Sequence, residues 1–485
     1  LDLKQEAIRG VKWTSLSTGL SFILGLIQIA IIARYLPASE IGLLSLVTII
    51  IGISRVFSDA GISNSIIHFQ DLNQQQINSL YWLNVVLSCV AALTLYLLAP
   101  FITLLFPKAD LSNYLRLVCI AIPLAAVGQQ FLILLKRDLA FQLISYVEMV
   151  VRVTIFLVIV ILLVCFDFDL MAVLYATVAG AAVSGVVYLV IGMRIYFIPS
   201  ISTFNISNCR HCLSFGLFQM GDRVVSYASA NLDKIIIGRF FGTTILGFYE
   251  LATILISRPI TIINPIFNTV SFPLFSKMQH DLPRLNDWYI KKIAIISLLT
   301  APIFCGMYAI RHDLVEFIYG TGKEITIMTL GIICLLGYFR SISNPLGTYV
   351  LALGKPDHSL YLNLFQLAVH GLLLFIGVSY LSFESMLWLY VAGSICITIP
   401  AAYYLRHRLS KMSVMAHFSV ILKHLMMGII MIICLTFIQP FIARIDMDLM
   451  MRMIVVIISG ALIYLIVNFI FNRSLVKDLR GLIHR

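Results

Sequence analysis

Residues 14–35 read TSLSTGLSFILGLIQIAIIARY, and no charge appears before Arg34. A helix rises about 1.5 Å per residue, so the twenty residues 14–33 cover the roughly 30 Å hydrocarbon core of a bilayer. The run is continuous rather than alternating, which excludes a barrel strand. Thirteen similar runs follow, at about 41–58, 80–99, 114–134, 144–165, 172–192, 213–237, 245–270, 293–310, 326–350, 359–380, 386–405, 424–443 and 453–471. The expected fold class is an all-α integral membrane protein of about fourteen transmembrane helices.

The bulk numbers agree. Of 485 residues, 60% are hydrophobic and 12% charged, with mean hydropathy +0.98, whereas soluble domains carry about 25% charged residues. The formal net charge of +11 does not point to nucleic acid, because the basic residues are scattered singly between apolar runs. Placing both termini in the cytoplasm puts 20 Lys/Arg in inside segments and seven in outside ones, the bias that holds cytoplasmic loops in place. The loop 59–79, which has no Lys or Arg, departs from it. The first run is too long for a signal peptide and lacks a small-residue cleavage site. Trp13, Trp82, Trp288 and Trp388 fall at span ends, where indoles anchor at headgroups. Seven of nine cysteines sit within apolar runs as small hydrophobes. Cys209 and Cys212 have no further ligands at zinc spacing, so neither a metal nor any other cofactor is expected.

The chain repeats at an offset of 205 residues. Ile31-Ile32-Ala33-Arg34-Tyr35 with Gly42 recurs as Ile236-Ile237-Gly238-Arg239-Phe240 with Gly247. Thr14, Thr18, Ser21, Gly25 and Gln28 fall on Gln219, Arg223, Ser226, Ala230 and Asp233, in steps that trace one helix face. Ser45, Thr48 and Gly52 fall on Glu250, Thr253 and Ser257. Six spans followed by six in the same sense form a parallel repeat, with substrate expected between the halves. The expected organisation is an N-terminal lobe over 1–205, a C-terminal lobe over 206–412 and an added helix pair over 413–485. Small residues alone would equally mark packing faces.

Charge inside the spans narrows the function. Arg55, Arg116, Arg152, Arg223, Lys234, Arg258 and Arg340 stand against Glu148, Asp222, Asp233 and Glu250, a surplus of three positives. Each costs about 2.5–3.5 kcal/mol at a helix centre, so each faces a cavity or a partner. Glu148 and Arg152, four apart, are placed to pair. Arg116 and Arg223, near span ends, are placed to reach the headgroups. Arg55, Arg258 and Arg340 have no acid within a turn, and a guanidinium grips phosphate two oxygens at a time. These three are the candidate pyrophosphate ligands. Gln28, Gln219, Asp233, Lys234, Glu250, Glu148 and Arg152 are candidates for lining the cavity or coupling ions.

Several segments in order resemble one family. They are the residues from Ile31 through Gly42, Phe57-Ser58-Asp59-Ala60-Gly61-Ile62-Ser63, Lys136-Arg137-Asp138 through Phe141 and Glu148, Asn231 through Arg239, and Gly354-Lys355-Pro356. The chain resembles, over essentially its whole length, the polysaccharide-transport flippases of the multidrug/oligosaccharidyl-lipid/polysaccharide exporter superfamily. The resemblance implies two six-helix lobes around a central cavity that opens alternately to either side. It implies an undecaprenyl-pyrophosphate-linked oligosaccharide as cargo, moved to the outer leaflet of the bacterial cytoplasmic membrane. A polysaccharide polymerase and a chain-length regulator are the partners it suggests. Arg55 and Arg258 look like counterparts of the cavity arginines of lipid II flippases, but Gln28 stands where that branch has a further arginine. The 205-residue offset sets Arg55 against Ile260, two positions from Arg258.

Two rivals fit less well. A cation or multidrug antiporter should line its cavity with acids and aromatics. A membrane polymerase needs a large outer loop, and no outer segment exceeds about 15 residues. No GxxxxGK[ST], HExxH or Ser/His/Asp pattern is present, so a transporter rather than an enzyme is expected.

Overall fold

A computed structural model describes residues 3–69, 71–106, 111–201, 204–205, 210–442 and 444–471. Among them the regular structure is helical, and the chain divides into two compact units, Leu1–Gly247 and Phe248–Arg485.

The first unit contains α1 (Leu3–Tyr35), α2 (Ala38–Asp59), α3 (Ile62–His68), α4 (Gln74–Leu105), α5 (Leu111–Val118), α6 (Ala121–Arg137), α7 (Phe141–Val160), α8 (Leu170–Ile195), α9 (Arg210–Phe240) and the start of α10 (Gly242–Lys277). A π-helical turn, Ile161–Cys165, extends α7. Local chemistry sets the boundaries. Pro37, extended at φ −65°, cannot continue α1 and N-caps α2. Asn73 and Gln76 form a reciprocal capping box at the start of α4, with bonds of 2.8 and 3.0 Å. Glu40 of α2 accepts the Leu170 backbone N–H at 3.0 Å, so one helix's carboxylate caps another.

α9 belongs to the first unit because it packs along α2 and α3. Gly61, in the left-handed region at φ +72°, lets the chain turn from α2 into α3. A Cβ on Gly61 would overlap Gly216 of α9. At the other end of α2 the contact is reciprocal. A Cβ on Gly42 would meet the Thr243 carbonyl, and one on Gly247 would meet the Ala38 carbonyl. Thr243 and Gly247 are Ala38 and Gly42 shifted by the repeat offset of 205 residues. The starts of α2 and α10 therefore meet through equivalent surfaces, as elements related by a local two-fold axis do.

The second unit contains the rest of α10, then α11 (Leu282–Ala309), α12 (Arg311–Tyr319), α13 (Glu324–Ser343), α14 (Pro345–Ala352), α15 (Pro356–Tyr380), α16 (Phe383–Gly393), α17 (Ile399–Ser410), α18 (Val414–Ile442) and α19 (Leu449–Phe471). A π-helical turn, Ser394–Thr398, joins α16 to α17.

Each of the fourteen expected runs falls on helix. Among the described residues thirteen segments are long and apolar enough to cross a membrane. The remaining run, 213–237, lies in α9, which carries Arg223, Asp233 and Lys234. Large apolar side chains such as Leu104 (75% exposed), Phe437 and Leu465 face outward, a surface that suits lipid and not water.

Three expectations about individual side chains need correction. Arg406 and Lys292, placed by the sequence in cytoplasmic loops, are buried within α17 and α11, because those helices run one or more turns past the apolar runs. Cys89, Cys165 and Cys396, expected as buried small hydrophobes, are exposed on the apolar surface. Trp288 and Trp388 are exposed, but Trp82 packs edge-on against Tyr81 and its indole N–H is buried.

Candidate functional site

In the first unit, Arg55 sits on α2 with its side chain exposed and no ion pair to a described residue. The helix face beside it is closed by Tyr227 of α9, whose hydroxyl occupies the space a Cβ on Gly52 would take. Gln28 on α1 is half-buried, and its Oε1 is buried with no hydrogen bond to a described residue. Such an acceptor in an apolar setting costs about 1–3 kcal/mol unless a ligand or water meets it. Asp233 on α9 is buried and accepts the Lys234 backbone N–H at 2.9 Å; the Lys234 side chain is half-buried. The Gln219 side chain lies outside the described residues.

Glu148 and Arg152 do not form the expected pair. Both are exposed on α7, and among the described residues the ion pairs are Arg137–Asp138, Arg223–Asp59 and Arg452–Asp313. Spacing of four residues permits such a pair without forcing it.

Arg223 is the larger correction. Instead of reaching for headgroups, it donates to Asp59 Oδ2 at 2.8 Å and to Asn64 Oδ1 at 2.6 Å. Asp59, at the end of α2, is 5% exposed. Its other oxygen accepts from Gln129 of α6 at 3.1 Å, from the Ser63 backbone N–H at 3.3 Å and from the Ser63 hydroxyl. Helices α3, α6 and α9 thus converge on the carboxylate that ends α2. Sequence reading missed the cluster because the repeat aligns Arg223 with Thr18, not Asp59. A signal was present: Asp59 opens the loop 59–79, which has no Lys or Arg, so its counter-charge had to come from elsewhere in the chain.

In the second unit, Glu250 and Arg258 lie two turns apart on α10, both half-buried. Tyr319 of α12 stands in the field of both and donates its hydroxyl to the Leu251 carbonyl at 3.1 Å. Burial is the main force raising the Tyr319 phenol above its ordinary range; Arg258 pulls the other way and Glu250 adds to the rise. Arg340, in the last turn of α13, is exposed and donates to the Tyr390 hydroxyl at 2.8 Å.

Arg406 was not foreseen as an intramembrane charge. It is 1% exposed, donates to the Tyr289 hydroxyl at 2.6 Å and lies over the Tyr403 ring at 4.1 Å. Aromatic faces stand in for a carboxylate there. Tyr289 also stacks with His417, so the knot joins α11, α17 and α18.

A helical membrane protein with guanidinium groups held at depth can bind anions, and among the described residues no group of three His, Cys, Asp or Glu converges as a metal site. Comparison with known proteins places it. Residues 31–322 match the family model described as polysaccharide biosynthesis protein. The chain belongs to that family. Among its relatives, teichuronic acid biosynthesis protein TuaB of Bacillus subtilis (strain 168) is 26% identical over 96% of this chain and 95% of its own length. Lipopolysaccharide biosynthesis protein WzxC of Escherichia coli (strain K12) is 28% identical over 76% of this chain and 74% of its own. The fold is that of the lipid II flippase MurJ in an inward closed conformation, with a TM-score of 0.77 at 16% identity, covering 95% of this chain and 99% of that one. This member of the polysaccharide biosynthesis protein family therefore joins a multi-pass helical membrane architecture to the fold seen in MurJ.

Proposed function

We propose that the protein is a flippase that carries an undecaprenyl-pyrophosphate-linked oligosaccharide from the inner to the outer leaflet of the bacterial cytoplasmic membrane by alternating access. Arg55 carries this reading: its guanidinium stands exposed on a membrane helix without an ion pair to a described residue. Such a group is unfavourable in lipid and suited to a phosphorylated headgroup. Arg258 and Arg340 are assigned to pyrophosphate binding as well, and Gln28, Gln219, Asp233, Lys234, Glu250, Glu148 and Arg152 to lining the path or coupling ions. The reciprocal contact at Gly42 and Gly247 supports a parallel repeat, and the reading keeps lobes over 1–205 and 206–412. Both termini are cytoplasmic in this reading, and a polymerase and a chain-length regulator act on the delivered product.

The test is complementation of a strain lacking the gene. Arg55→Ala and Arg258→Ala should each lower surface polysaccharide at least tenfold, with the lipid-linked repeat accumulating inside and the protein present at normal level. Arg55→Lys should restore only part of the export, because an ammonium lacks the two-pronged geometry. Normal surface polysaccharide in the double alanine variant sinks the assignment. The buried carboxylate of Asp233 favours a second reading, cation antiport. Uptake of a cationic dye that vanishes in Asp233→Asn while polysaccharide export persists would select it.

A further inference from the structure

A cavity of about 510 Å³ opens in the second unit where α12, the turn Gly320–Lys323, the first two turns of α13 and the start of α16 meet. Its size lies within the roughly 300–1,000 Å³ of small-ligand sites. The transport residues do not line it: Glu250, Arg258 and Arg340 lie elsewhere in this unit.

Three carboxylates, Glu316, Glu324 and Glu384, share its wall with Arg311 and Lys323. None of the five enters an ion pair among the described residues. The carboxylates that line the wall are left as acceptors, while the Lys323 Nζ stands over the Phe248 ring at 5.8 Å. Two aromatic faces complete it, Trp388 at 50% exposure and Tyr308 at 38%. The Arg311 guanidinium lies over the Tyr308 ring at 4.6 Å and donates to the Tyr308 carbonyl at 2.9 Å, which fixes its direction.

The frame is built rather than incidental. Arg452 of α19 grips Asp313 through two bonds, 3.2 and 2.5 Å, on the side of α12 away from the cavity lining. The Tyr319 hydroxyl and the Thr326 hydroxyl donate to the Leu251 and Phe248 carbonyls, both at 3.1 Å, and so pin each end of the turn to α10. Gly320 and Gly322, at φ +83° and +75°, allow the reversal between them.

The chemistry selects a ligand. Three carboxylates disfavour a phosphate, five charges disfavour an acyl chain, and the acids do not converge as a metal site among the described residues. A sugar meets every requirement: its hydroxyls both donate and accept, and its C–H face stacks on an indole. We propose that this cavity binds carbohydrate, with Trp388 as the stacking platform, Glu324 and Glu384 accepting from hydroxyls, and Arg311 and Lys323 donating to ring and hydroxyl oxygens. The inference rests on the flippase reading only for the source of the sugar. The Lys/Arg distribution puts this face outside the cell, where the glycan of a newly delivered lipid would be at hand.

Saturation-transfer NMR on the full-length protein in lipid nanodiscs tests it. The probes are glucose, galactose, N-acetylglucosamine, glucuronic acid and the oligosaccharide released by mild acid from the cells' own lipid-linked pool. At least one should give a saturable signal that Trp388→Ala and Glu384→Gln each weaken at least tenfold, while helicity and monodispersity stay unchanged. The loss in Trp388→Ala and Glu384→Gln separates this cavity from the transport site, which neither substitution touches. No saturable signal from any probe, or one indifferent to both cavity substitutions, overturns the proposal and leaves the flippase reading intact. Export that proves independent of the gene, with sugar binding still lost in Trp388→Ala, defeats the flippase reading alone.

Discussion

At the scale of single residues, a charge in this protein is tolerated according to what meets it, and three arginines show three solutions. Arg223 takes a carboxylate, Arg406 takes aromatic rings and a phenol, and Arg55 takes no described acid and stays exposed. The first solution carries a quantitative expectation. Removing one partner strands a buried charge, whereas removing both does not. Arg223→Ala should therefore lower the stability of the purified protein by about 1–3 kcal/mol, discounted for the partial exposure of Arg223. The double variant Arg223→Ala with Asp59→Asn should recover part of that loss. Thermal unfolding in detergent measures both, and a double variant no more stable than the single one would remove Asp59 as the cause.

Among elements, the starts of α2 and α10 approach tightly. Gly42 and Gly247 are required there because carbonyl groups occupy the space a side chain would need. A motif that repeats along the chain thus serves as both halves of one contact. Gly42→Ala and Gly247→Ala should each cost about 1–3 kcal/mol, the scale of overpacking a tight site. The two effects should be strongly non-additive, since one separation of the helices relieves both clashes. Additive losses in unfolding experiments would show that the two glycines respond to separate neighbours.

For the molecule as a whole, the apolar exterior and the scattered basic residues make a claim about topology. Cysteine introduced at Thr321 should react with a membrane-impermeant maleimide in intact cells, and cysteine introduced at Lys355 only after permeabilisation. The reverse pattern would invert the orientation and move the proposed carbohydrate cavity to the cytoplasmic face.

What the residues declared unaided was whatever depends on runs and local pattern. A long uncharged run favours a membrane helix wherever it sits, so the helical membrane class was legible. Partnership was not legible. Asp59 and Arg223 are 164 positions apart, and Trp388 joins Arg311 and Glu324 in one cavity only because α12, α13 and α16 meet. A charge several helices away in sequence can be the nearest in space, and burial beside it decides whether a side chain is anchored, caged or left facing an opening. That is a property of packing, and it exists only once the helices have come together.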